Sequence, residues 1–107
     1  MGIRKMTSLE KSFDATISPH LDAYLNDADQ GKVSAFYDLG LCYSTGMGVD
    51  LDYVEAHKWF SLAALNGVKR AIEDRHELAQ DMSSEEIAEA QRQARQWLAL
   101  HADITMH

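Results

Sequence analysis

Five histidines, one cysteine and a glycine-rich turn are the residues of this 107-residue chain with the clearest chemical potential. His20, His57, His76, His101 and His107 include no His-x3-His or His-Glu-x2-His spacing, the arrangement that puts two imidazoles on one helix face for a zinc ion. His57 reads instead as a position on the solvent side of its helix. Cys42, the only cysteine, can make neither an internal disulfide nor a cysteine-based zinc site. It reads as a small buried hydrophobe, with a reactive or redox-sensing thiol as the alternative. Gly46-Met47-Gly48 is not followed by the Lys-Ser/Thr pair of a phosphate loop, so that turn is structural. Serine, histidine and aspartate occur, but nothing sets them out as a nucleophile elbow. The expectation is a chain without catalytic residues, metal or cofactor.

Those side chains must be positioned by helices. One proline and six glycines punctuate the sequence, and runs of β-branched residues are missing. Thr7-Ser8-Leu9-Glu10 is a capping-box pattern that opens a short helix over 7–17, with Leu9 and Phe13 on one face. Ser18-Pro19 starts a second helix, because proline at the first helical position gives up an N–H that has no partner there. It runs to about Gln30 and stops at Gly31. A third helix covers Val33 to about Ser44. Asp50 or Asp52 caps a fourth, which closes on Asn66-Gly67. A fifth spans roughly 68–80. Ser83 and Glu86 form another capping box and open the longest helix, to about His101, with Ile87, Ala90, Ala94, Trp97 and Leu98 as its apolar stripe.

Composition narrows the classes. Seventeen acids against ten bases give a net charge of −7, and 46% of the residues are hydrophobic, which suits a globular chain. The charge is uneven: +2 over 1–11, −7 over 12–55 and −2 over 56–107. A phosphate backbone would be repelled by the middle segment, so nucleic acid is not an expected partner. No apolar run reaches the ~20 residues of a membrane span, and no apolar stretch follows the charged start as in a signal peptide. A cytoplasmic protein is expected. Residues 1–6 read as a flexible N-terminus or as a remnant ahead of a natural start at Met6, and 7–107 as one helical domain.

Shifted by 36 residues, the chain places Ala28 on Ala64, Gly31 on Gly67 and Ala35 on Ala71. A shift of 38 aligns Ala56-x2-Trp59 with Ala94-x2-Trp97. Such a period marks helix–turn–helix repeats. The pattern Ala35-x3-Leu39-Gly40-x2-Tyr43-x2-Gly46-x-Gly48-Val49-x2-Asp52-x3-Ala56-x2-Trp59-x3-Ala63-Ala64-x2-Gly67-x3-Ala71 closely resembles the Sel-one-like repeat, a relative of the tetratricopeptide repeat. Residues 71–103 look like a degenerate second copy, lacking the Gly-x-Gly-Val loop and carrying His101 where a small alanine belongs. The fold expected is all-α: a short α-solenoid of antiparallel helix pairs, five or six helices with a long C-terminal capping helix. In physical terms, Gly40, Ala56, Ala63 and Ala64 let helix backbones approach, while Leu39, Tyr43, Trp59 and Phe60 fill the space between layers. Gly46 and Gly48 supply positive φ, Val49 plugs the loop, and Asp52 caps the next helix.

The resemblance implies protein–protein interaction, through a small adaptor or regulatory scaffold whose inner side is lined by the first helix of each pair. Partner-binding candidates are Phe36, Tyr37, Leu41, Asp29 and Asp38. Phe36 has two readings: covered by the helix over 19–30, or an exposed aromatic anchor. The acids, with Asp22, either form a solvated face or select a partner with a basic surface or peptide. Leu65, apolar where such repeats tend to be polar, fits packing beneath the terminal helix. Two repeats leave solenoid ends to cover, either by the segments 7–17 and 84–103 or by a second copy in a homodimer. Self-association without a separate ligand is thus the alternative function. A cysteine-rich branch of similar repeats, linked to β-lactam binding or hydrolysis, is remote, since that branch relies on disulfides and this chain has one cysteine.

Overall fold

The computed structural model describes residues 20–102; the segment 1–6, the helix expected over 7–17 with its capping box, and the Ser18-Pro19 start of the second helix lie outside them. Among the described residues there are five helices and no strand: α1 (residues 20–29), α2 (Val33–Thr45), α3 (Tyr53–Leu65), α4 (Lys69–Ala79) and α5 (Ser84–Leu100). Together they form a short helical solenoid. No helix among these residues is long and apolar enough to cross a membrane.

Each boundary has a local cause. Gly46 ends α2 at φ 76°, its N–H bonding back to the Cys42 carbonyl at 2.8 Å, and Gly48 follows at φ 78°. These left-handed conformations cost glycine little and other residues more. They let α3 fold back antiparallel on α2, with the Asp52 N–H donating to the Tyr43 carbonyl across the loop. Asp52 also accepts from the Glu55 N–H at 3.1 Å, so it is the α3 cap, and Asp50 is left exposed. Val49 is half-buried in the loop. Gly67 at φ 94° ends the turn after α3. Ser83 and Glu86 cap α5 reciprocally, at 3.1 and 2.9 Å.

The third helix is the hub, since α2, α4 and α5 all pack on it. Close approach to α2 depends on Gly40: a Cβ there would lie 2.4 Å from Phe60 Cδ1. The core gathers Phe36 and Leu39 of α2, Ala56, Trp59, Phe60, Leu62 and Ala63 of α3, Ala71 of α4, and Ala94 and Trp97 of α5. Three aromatic rings tie three helices. Phe36 stacks on Trp59 at 6.0 Å and meets Trp97 edge-on at 5.2 Å, while Trp59 and Trp97 are 6.2 Å apart. Both members of each Ala-x2-Trp pair are buried, which is why the motif recurs: the alanine admits a neighbouring backbone and the indole fills the layer beside it.

His101 departs from the small residue expected at its place because it closes a corner. Its ring lies 3.8 Å from Trp97, nearly parallel, and its Nε2 is 3.2 Å from Asp29 Oδ1. The end of α5 is thereby joined to the end of α1.

Candidate interaction surface

The five residues expected to meet a partner do not form one patch. Phe36 is 1% exposed, so it is buried and not a surface anchor. The rings against it come from α3 and α5. Asp29 sits beside His101 at the far end of α1. Asp38 is half-buried near Tyr24 and Cys42, and burial raises its pKa. Only Tyr37 and Leu41, one turn apart on α2, share a face, and that face looks toward α4.

Between α2 and α4 runs a groove of about 350 Å³. Leu41, Phe60 and Leu78 make its apolar part, Ser44 lies at its side, and Asp74, Glu77 and Asp81 supply carboxylates. Tyr37 and Arg70 stand outside its lining: the Tyr37 hydroxyl donates to Asp74, and the Arg70 guanidinium lies 5.1 Å from the Tyr37 ring centroid. Burial and the bond to Asp74 push the Tyr37 phenol up. Sequence reasoning weighed the acids of residues 12–55 and missed those of α4. The signal was present: Asp74, Glu77 and Leu78 stand at i, i+3 and i+4, one stripe of α4, and Asp81 at i+7 follows in the turn just past its end.

Two further expectations are corrected. His57 is not on a solvent side but 4% exposed. Because α3 receives neighbours on several sides, it has almost no free face. Its Nδ1 is 3.5 Å from Ser61 Oγ, to which Arg75 Nη1 donates at 3.3 Å. Leu65 is not packed away beneath α5 but is 66% exposed, at a cleft that Ala94 and Leu98 of α5 also line. Cys42 is buried, and burial with the nearby Asp38 charge pushes its thiol up, so the nucleophilic thiolate is disfavoured. Among the described residues no group of three His, Cys, Asp or Glu is placed to hold a metal ion.

The buried imidazole has a measurable consequence. Burial first, and the Arg75 charge second, hold His57 below the usual histidine value. The unfolded chain therefore takes up this proton at a higher pH than the folded one. Stability from the neutral ring is present above the unfolded value of about pH 6.5 and is lost progressively as pH falls below it toward the lower folded-state value. Urea midpoints measured between pH 7 and 5 should fall more steeply for the native sequence than for His57→Gln. Asp38, shifted the opposite way by burial, is common to both proteins and cancels in the comparison. Equal slopes would show that His57 does not carry the effect.

The Sel1 repeat family model matches residues 33–68. A search of curated proteins finds no match. Sel1 repeats generally mediate protein–protein interaction, and the matched stretch builds α2, its glycine turn, α3 and the Gly67 break. Residues 33–68 thus carry a Sel1 repeat, set within a short helical solenoid.

Proposed function

We propose that this chain is a small cytoplasmic adaptor whose α2–α4 face docks a partner protein through a segment that is both basic and apolar. One observation carries the reading: the groove joins an apolar floor to three carboxylates, and no lysine or arginine lines it. A lysine or arginine stem would lie along Leu41 and Leu78 while its head reaches Glu77 or Asp81. Specificity in such a site comes from opposite charge at the rim, and affinity from the apolar contacts that the acids surround.

The test uses Glu77→Gln/Asp81→Asn, which spares the Tyr37–Asp74 bond. Pull-downs with the native chain and this variant should differ in their basic partners, and the affinity of a captured partner should drop steeply between low salt and ~0.5 M, where the Debye length is about 4 Å. Identical partner lists, or an affinity flat with salt, would move the docking face elsewhere.

A further inference from the structure

Helices α4 and α5 both pack on α3 yet scarcely touch each other. Between them is a cleft of about 200 Å³, below the size of most small-molecule sites but adequate for a side chain. Its apolar part is Leu65, Ala94 and Leu98, and its polar part includes Arg75, Arg95 and Gln91. No carboxylate lines it. We propose that this cleft is a second docking site, taking a partner-protein segment that presents a carboxylate within a turn of an aliphatic side chain.

Three observations carry this. The first is charge. In a chain of net −7, two arginines meet at one cleft, and among the described residues neither is ion-paired, whereas Lys32, Lys58 and Arg92 each hold a carboxylate. Arg75 is held by Ser61 through Nη1, which leaves the rest of its fork of donors for a carboxylate. Arg95 stands exposed one turn after Gln91 on α5. The second is Leu65. The other leucine of the hub helix, Leu62, is fully buried, yet Leu65 is 66% exposed at the mouth of this cleft. A partner's aliphatic side chain would cover it. The third is direction: successive helical residues turn by about 100°, so Arg75 faces away from the stripe of Asp74, Glu77 and Asp81. The chain thus carries two surfaces of opposite sign on different faces of α4, and the second stands whether or not the first binds a basic partner.

A random peptide-display library selected on the full chain, followed by fluorescence anisotropy of the enriched peptides, tests the site. Peptides with Asp or Glu near Leu, Ile or Met should be enriched. Their affinity should fall by at least ~10-fold in Leu65→Ser/Arg95→Glu, a loss of about 1.4 kcal/mol. It should be unchanged in Glu77→Gln/Asp81→Asn, which separates this site from the α2–α4 groove. Both altered side chains of the first variant are exposed, so its thermal melt should match that of the native chain. Acidic peptides that bind the variant equally well, or a selection that enriches none, would overturn the proposal. So would a dimer in light scattering that Leu65→Ser/Arg95→Glu turns into a monomer, because the cleft would then hold a second copy.

Discussion

Phe36→Ala should lower the free energy of unfolding by about 3–5 kcal/mol, the cost usual for emptying a buried aromatic site. The ring is 1% exposed, lies against Trp59 and Trp97, and so joins α2 to α3 and α5 at once. Truncation removes the transfer free energy of the ring, its aromatic contacts, and the support both indoles receive from it. Domains of this size are stable by about 5–15 kcal/mol, so a substantial share would be lost. Urea denaturation followed by tryptophan fluorescence measures it directly. A loss below about 1 kcal/mol would mean that the ring is not enclosed. Any loss of partner binding in this variant should track the unfolded fraction, whereas a substitution at a true contact would weaken binding by the native fold.

Trp59→Ala should cost a similar ~3–5 kcal/mol, by a partly different route. The indole is 5% exposed and packs against Phe36 and Trp97. Its Nε1–H donates to Glu55 at 3.0 Å, and that carboxylate also holds Lys58 at 2.9 Å, with the ammonium 4.8 Å from the indole centroid. Removing the ring therefore breaks a rim of polar contacts as well as the core. Phe36 and Trp59 touch, so their effects should not add: in the double variant the coupling should reach ~0.5–3 kcal/mol, because the cavity made by one change already slackens the other site. Strict additivity would show that the two rings do not support one another.

Much of this fold was legible from residue order. The helix ends followed from chemistry within a few residues: Asp52 and Ser83 each accept the N–H three positions on, and Gly46, Gly48 and Gly67 adopt the positive φ that turns require. The recurrence of Ala-x2-Trp marked two buried layers for the same reason, since one residue makes room and the other fills it. The candidate interaction surface was far less legible. Tyr37 and Leu41 came from α2 alone, but their opposite wall is α4, whose acids lie more than thirty residues along the chain.

The misplacements share a cause. His57 looked like the polar face of an amphipathic helix, yet α3 is enclosed by three other helices and buries its imidazole with Ser61 and Arg75 nearby. Leu65 looked like core and lies open, at the edge of the cleft between α4 and α5. Among the described residues the sequence by itself determined the helices, the Asp52 and Ser83 caps, the glycine turns and the repeat over 33–68, all set by hydrogen bonds and sterics between residues close in the chain. The tertiary structure alone decided which faces of those helices are covered, and with them the acidic groove and the arginine-lined cleft. A helix face is buried or exposed according to what packs against it, and its neighbours here are brought in by contacts remote in sequence.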